Sequence, residues 1–484
     1  MTEKLKYEPV IGLEVHAQLK TKTKLFCGCP TDFGGAPNDH ACAVCVGMPG
    51  VLPVLNKKAV EFGIRTGLAL NCQIAEDSRF DRKNYFYPDL PKGYQISQLD
   101  RPVCQNGHLS INGKKIRINR AHLEEDAGKL VHAGAAGLHG STHSNADYNR
   151  SGVPLLEIVS EPDIRSAEEA RDYLTELRNI LRYIGVCDGN LEEGSFRCDA
   201  NVSIRPVGQE KFGTRTEIKN MNSFKSVRDA IESEIERQAQ LLDSGERVVQ
   251  ETRLWNEAKQ ATFSMRSKED SHDYRYFPEP DLVPLAIDKN WVDEIRASLP
   301  ELPEQRRQRY ISKHGLSEYN AGILAESRAM SDFYDRVLDL GVDAEKSANL
   351  LTNAIAFYMR DNKKEFSELT ITPENLRDLI AAVAEGTLTS NVAFKQLLPE
   401  LLGTAGDVKK LIKDKGLGQA LSEDELRKIV QEIVVSSPAQ VEDYKKKPDK
   451  LRPYFLGLVM KATKGKANPQ LINKLLDGEL PEPD

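Results

Sequence analysis

The sequence predicts an α+β chain: a sheet-bearing domain over residues 1–294, an all-α domain over 295–405 and a helical tail over 406–484. Three observations lead there. Before residue 220 several short stretches alternate apolar and polar residues, the period of half-buried strands. After about residue 295 the apolar spacing turns helical, with caps such as Thr372-Pro373-Glu374 and Ser422-Glu423-Asp424-Glu425. The length of 484 residues exceeds what one hydrophobic core serves, so more than one domain is required. All eight cysteines lie before residue 199 and every histidine but His314 lies before residue 273, so metal and thiol chemistry belong to the first domain.

The first strand is Pro9-Val10-Ile11-Gly12-Leu13-Glu14-Val15-His16-Ala17-Gln18-Leu19. Its odd positions from Ile11 are apolar, so Glu14, His16 and Gln18 share one face. Residues two apart on a strand sit roughly 6.5–7 Å apart. Long side chains at that spacing lean toward one cation, although a solvated polar face has the same pattern. Next come Cys27-Gly28-Cys29 and Cys42-Ala43-Val44-Cys45. Two close pairs across a Gly- and Pro-containing loop, in a chain expected to keep its thiols reduced, predict a structural zinc site in the loop 27–45. A closed site of four thiolates folds a loop and does no chemistry.

Residues 81–98 are rich in aromatics and proline and flanked by cations, a composition suited to stacking a base beside phosphate, or to packing tyrosine on proline. A strand over 116–123 runs into Glu124-Glu125-Asp126, acids that repel one another unless a cation or solvent compensates. Residues 131–146, with His132, His139 and His143, read as a Gly-rich hairpin loop, a setting more of solvated histidines than of ligands. The middle of the run from Asn149 to Asp163 reads as a buried strand. Ser166-Ala167-Glu168-Glu169 then predicts a capping box, opening a helix with Ala170, Tyr173, Leu174, Leu177, Leu181 and Ile184 on one stripe up to Gly185.

Two more alternating strands follow. Over 196–205 Arg197, Asp199, Asn201 and Ser203 share a face, and over 214–220 Arg215, Glu217 and Lys219 do. A helix from Ser223 to about Leu242 directs Phe224, Val227, Ile231 and Ile235 inward. Strands that each offer carboxylates, cations or a histidine on one face, within one domain, point to a shared site. Beyond residue 295, helices are predicted near 331–340, 346–360, 373–385, 391–402, 423–435, 453–463 and 470–477, with a linker at 403–406. Within 441–466, Lys445, Lys446, Lys447, Lys450, Arg452, Lys461, Lys464 and Lys466 face only Glu442, Asp443 and Asp449, a phosphate-seeking patch in an acidic chain.

The net charge of −7 argues against a general nucleic-acid coat. No long apolar run and no signal-peptide core occur, so a cytoplasmic protein without a membrane segment is expected. Phosphate-loop and Gly-x-Ser-x-Gly signatures are absent. Nucleotide chemistry would therefore use metal-bound phosphates on a sheet.

Seven runs carry a resemblance beyond these patterns: Val10-Ile11-Gly12-Leu13-Glu14-Val15-His16; Phe80-Asp81-Arg82-Lys83-Asn84-Tyr85-Phe86-Tyr87-Pro88-Asp89; Glu124-Glu125-Asp126-Ala127-Gly128-Lys129; Glu157-Ile158-Val159-Ser160-Glu161-Pro162-Asp163; Arg197-Cys198-Asp199-Ala200-Asn201; Asp273-Tyr274-Arg275-Tyr276-Phe277-Pro278-Glu279-Pro280-Asp281; and Lys466-Ala467-Asn468-Pro469-Gln470. Together they resemble the B-subunit family of aspartyl/glutamyl-tRNA amidotransferases over nearly the whole length. The resemblance implies an antiparallel-sheet cradle domain, a helical domain and a helical tail that grips tRNA. It implies a heterotrimer with an amidase A subunit, which releases ammonia from glutamine, and a small C subunit. The B subunit would phosphorylate the side-chain carboxylate of Glu-tRNA(Gln) or Asp-tRNA(Asn) with ATP and Mg²⁺, and ammonia would then displace phosphate. Carried over by motif, Glu14, His16, Glu125, its neighbour Glu124, and Glu217 are implied as catalytic metal ligands. Lys83, Arg150, Asp199 and Lys219 are candidate contacts to ATP or the acyl phosphate. Members of the family differ in carrying the zinc cysteines, so Cys27, Cys29, Cys42 and Cys45 rest on this chain's own spacing. Two rival readings are a non-catalytic RNA-binding or assembly subunit and a carboxylate-amine ligase acting on a small molecule.

Overall fold

The computed structural model describes residues 6–134, 141–267, 274–417, 423–463, 467 and 469–481, with the backbone alone at 132–134, 141–142, 266–267 and 469. The side chain of His132, and His139, Asp273, Ser422, Lys464, Lys466 and Asn468, lie outside the described residues. The chain divides into two units, Met1–Leu302 and Pro303–Asp484.

In chain order the first unit contains β1 (Tyr7–Gln18), α1 (Lys57–Ala69), β2 (Gln73–Ile74), β3 (Asp77–Ser78), β4 (Asp81–Asn84), β5 (Tyr94–Ser97), β6 (Cys104–Ile111), β7 (Lys114–Glu125), β8 (Lys129–Gly134), β9 (Ser141–Asp147), β10 (Pro154–Ser160), α2 (Ala167–Tyr183), β11 (Phe196–Pro206), β12 (Thr216–Lys219), α3 (Phe224–Asp243), β13 (Glu251–Asn256) and β14 (Ala261–Ser267). Nine strands form one sheet in the order β14-β13-β12-β11-β1-β10-β7-β6-β2, with β1 at its centre. Its ladders are antiparallel with one exception. β12 and β13 run parallel, because the chain between them crosses back through α3. The sheet is otherwise antiparallel, as expected of the cradle domain.

The alternation of β1 decides the layering. Leu13, Val15 and Ala17 join Leu123, Ala200, Val202 and the buried sides of α1, α2 and α3 in one core, which leaves Glu14, His16 and Gln18 on the opposite face. The stripe expected for α2 is buried throughout, and the helix ends at Gly185 with φ +75°. Its capping box is half realised. Ser166 Oγ accepts from the Glu169 N–H at 3.1 Å, but the Glu169 carboxylate reaches past it to the Arg165 N–H at 2.6 Å.

The second unit is helical and holds two apolar cores. One gathers Tyr310, Tyr334, Leu351, Leu376 and Leu401, with Tyr310 and Tyr334 packed edge to face at 5.1 Å; the other gathers Leu426, Val430, Phe455, Ile472 and Leu476. Neither boundary lies where the sequence places it. The helix Lys289–Ala297 spans residue 294 and buries Val292 and Ile295 in the sheet core, so the first unit runs on to Leu302. Beyond residue 405 the helix Val408–Asp414 still adds Val408, Leu411 and Ile412 to the first helical core.

Candidate active site

Strand register lines up the polar face. His16 of β1 lies opposite Glu157 of β10, and Glu157 lies opposite His122 of β7. One rung across three adjacent strands thus reads imidazole, carboxylate, imidazole. Glu124, two residues along β7 from His122, turns to the same group. His16 Nε2 is 3.3 Å from Glu157 Oε2 and 3.5 Å from Glu124 Oε1; His122 Nε2 is 3.5 Å from Glu157 Oε2 and 3.7 Å from Glu124 Oε2. His16, Glu124 and Glu157 present ligand atoms that all lie within 4.8 Å of one another. A divalent cation with nitrogen and oxygen ligands fits that donor set.

The electrostatics agree with this fit. Burial lowers the pKa of His16, yet Glu157 and Glu124 outweigh that and raise it to about 9. Burial likewise opposes the charge of Glu157, but His122 and His16 hold its carboxyl well below the ordinary range. Glu14 is a different case. Burial raises its pKa, and the neighbouring Glu157, Glu217 and Asp199 raise it further, so the face carries more negative charge than its own cations answer. Glu14 Oε1 accepts from Asn201 Nδ2 at 2.8 Å.

Beyond Glu14, Asp199 pairs with Lys219, whose Nζ is 3.1 Å from Glu217 Oε1, and Glu217 Oε2 accepts from Thr252 Oγ1 at 2.8 Å. Lys83 sits over the Tyr274 ring at 5.0 Å, and Glu124, Tyr276 and Glu157 raise its pKa against the effect of burial. A cavity of about 450 Å³ opens beside Glu14 and Asn201, walled by Val10, Gly12, Pro162 and Phe212 with Thr214 and Arg215 at its edge.

Of the residues expected in the site, Glu125 is placed elsewhere and Arg150 stands at its margin, sharing Asp126 with Gln18 and Arg197. Glu125 alternates to the opposite side of β7, where it pairs with Lys92 and accepts from the Ile96 N–H at 2.9 Å. There it lines a cavity of about 210 Å³ shared with Cys27 and Cys45. Arg150 directs its Nε and Nη2 at the carbonyls of Ala127 and Gly128, 2.9 and 2.7 Å away, and so braces the turn after β7. Glu157 and His122 are members that the sequence reasoning missed.

The cysteine loop brings its four thiols together. Sγ of Cys45 lies 4.0 Å from Cys27, 3.8 Å from Cys29 and 3.6 Å from Cys42. A tetrahedral zinc with Zn–S bonds of about 2.3 Å places its sulfurs about 3.8 Å apart, so the four thiols fit the ion. The Cys42 N–H donates to Cys45 Sγ at 3.0 Å, and the wholly buried Lys24 donates to the His40 carbonyl at 2.6 Å. Hydrogen bonding from Cys27, the Cys42 N–H and the charge of Lys24 pull Cys45 down to about 4, while Cys27 and Cys29 are raised.

Residues 9–293 match the profile of the GatB/GatE catalytic domain, and residues 332–480 match that of the GatB domain. The chain belongs to the GatB family. Its relatives include proteins named as the B subunit of aspartyl/glutamyl-tRNA(Asn/Gln) amidotransferase. That of Geobacter sulfurreducens is 53% identical over 476 residues, covering 98% of this chain and 99% of the relative. That of Thermodesulfovibrio yellowstonii is 51% identical over 476 residues with the same coverage, and that of Carboxydothermus hydrogenoformans is 50% identical over 478. All of the ring residues His16, His122, Glu124 and Glu157 lie within the matched catalytic domain. Among the described residues no helix is long and apolar enough to cross a membrane.

Proposed function

We propose that this chain is the subunit that activates and amidates the side-chain carboxylate of Glu-tRNA(Gln) or Asp-tRNA(Asn), in a cytoplasmic assembly with an amidase A subunit and a small C subunit. The observation that carries the proposal is the ring of His16, Glu124, Glu157 and His122 beside the cavity at Glu14, in a chain of this family. His16, Glu124 and Glu157 would hold Mg²⁺, with Glu14 next to them. A bound divalent cation would supply charge neutralisation at the phosphates of ATP.

The cavity beside Glu14 is the place for the nucleotide. Lys83 and Lys219, both kept charged by surrounding carboxylates, answer phosphate charge from the two sides. The substrate carboxylate oxygen attacks the γ-phosphorus as the bond to ADP breaks. Ammonia nitrogen then attacks the acyl carbon, the carbon–oxygen bond to phosphate breaks, and amide and inorganic phosphate leave, the phosphate taking up the proton that nitrogen loses. The basic segment around Lys445–Lys450 suits the tRNA backbone.

The reading is tested by phosphate release from ATP in the reconstituted assembly, with Mg²⁺, with and without Glu-tRNA(Gln). Release that depends on the charged tRNA and falls on the order of 10²–10³-fold in Glu14→Ala is expected. Release that ignores the tRNA, or survives the substitution, sinks it in favour of a purely RNA-binding role.

Zinc in the Cys27, Cys29, Cys42 and Cys45 site is proposed as structural. Elemental analysis should find about one zinc per chain. Cys45→Ser should release the metal and open the 27–45 loop to proteolysis, and full zinc retention by that variant would contradict the assignment.

A further inference from the structure

We propose that His122 is a positioning residue, a buried donor that holds Glu124 and Glu157 in the orientation their metal requires. The inference rests on the metal reading above and adds a role outside the ligand set.

His122 is 3% exposed, whereas the side chain of His16 is 22% exposed, so the ring has an open end at His16 and a closed end at His122. At the closed end one imidazole nitrogen faces both carboxylates. Nε2 is 3.5 Å from Glu157 Oε2 and 3.7 Å from Glu124 Oε2. The remaining carboxylate surface has other partners. Glu124 Oε2 accepts from Ser97 Oγ at 3.1 Å, and Arg120 Nη2 stands 3.8 Å from Glu157 Oε1. Glu124 Oε1, by contrast, points toward His16 at the open end. Glu124 is therefore gripped from behind by one oxygen and offered forward by the other, while Glu157 Oε2 lies between the two imidazoles.

The second nitrogen of His122 identifies which hydrogen does this. Nδ1 is buried and has no hydrogen-bond partner. An unpaired buried N–H is rarer and more costly than an unpaired acceptor. Nε2 is thus the nitrogen whose hydrogen meets the two carboxylates, while Nδ1 meets no partner. Without that donor, two acids on adjacent strands would meet at the deep end with no group shared between them to offset their repulsion. Partners of this kind behind ligating groups change metal affinity by about 10–100-fold when removed.

The position of the hydrogen makes the test specific. A glutamine amide reaches the place of Nε2, an asparagine amide the place of Nδ1, and phenylalanine fills the volume with no donor. The full chain and its His122→Gln, His122→Asn and His122→Phe variants would be titrated with Mn²⁺, reading free ion by electron paramagnetic resonance. Thermal melts of each would check that it folds. Affinity within a few-fold of wild type is expected for His122→Gln. A loss of about 10–100-fold is expected for His122→Asn and His122→Phe at unchanged melting temperature. Wild-type affinity in a folded His122→Phe, or equal affinity in the Gln and Asn variants, overturns the assignment while leaving the metal site standing. If His122→Phe does not fold, the Gln and Asn pair decides alone. A wild-type chain that binds no Mn²⁺ overturns both, whereas loss of tRNA-dependent phosphate release alone bears only on the reaction.

Discussion

Glu157→Gln is expected to lower tRNA-dependent phosphate release on the order of 10²–10³-fold, which corresponds to about 3–4 kcal/mol of transition-state stabilisation. The substitution keeps shape and volume and removes only the charge. Glu157 stands between two imidazoles on one rung, and its carboxyl is kept ionised by His122 and His16 against the cost of burial. An amide there turns a donor face toward imidazole donors and offers a cation one neutral oxygen. The expected pattern is a fall in kcat at saturating ATP that excess Mg²⁺ repairs only in part, with the thermal midpoint almost unmoved. Phosphate release within about three-fold of wild type would remove Glu157 from the ligand set.

The second large effect is on stability. Glu234 of α3 is fully buried and gathers Arg237 Nε at 2.9 Å, Gln238 Nε2 at 2.8 Å and Thr262 Oγ1 at 3.0 Å, with Arg253 Nε 3.5 Å away. Gln238 in turn donates to the Val202 carbonyl of β11 at 3.1 Å. One acid thus ties α3 to β11 and β14. Glu234→Ala removes the buried acceptor that Arg237, Gln238 and Thr262 share and is expected to cost roughly 3–5 kcal/mol, seen as a fall of the first unit's unfolding midpoint on the order of 10 °C. Burial raises the Glu234 pKa, but the bonds from Arg237, Gln238 and Thr262 hold it below the ordinary value. Its contribution is therefore complete above the unfolded-state pKa and is lost as pH falls through the lower folded one, so wild type and variant should converge in acid. A midpoint shift under about 2 °C at neutral pH would show that the network carries little stability.

Much of this architecture was legible from alternation. Where one face of a strand meets helices and the other carries the site, as in β1 and β11, the period of two assigns every side chain, and Glu14, His16, Asp199 and Asn201 all lie on the predicted face. The acids at the end of β7 were harder for a specific reason. Ile116 and Ile118 point to the core, and carrying their phase forward would put Glu125 on the site face. A bulge opposite the Val159–Ser160 step reverses the phase, so that Ala121 and Leu123 point inward and Glu124 joins His16. Glu157 was hidden differently. Its strand is buried on both faces, and such a strand carries no alternation to read. The parallel ladder between β12 and β13 depends on where the chain goes after α3, which no local pattern encodes.

The central place of β1 has a consequence for how the protein is made. β1 leaves the ribosome well before the strands that flank it, β10 and β11, whose residues extend to Pro206. At about 5–20 residues per second, on the order of 10 s pass between its emergence and the arrival of both neighbours. Until β10 is made Ile11, Leu13, Val15 and Ala17 have no edge partner, and until β11 follows one edge stays open, so the nascent chain is a natural client for holding chaperones. Truncated products that stop before Phe196 should aggregate, because β1 then has no partner on its β11 edge and the side of the site that carries Asp199 and Asn201 is missing.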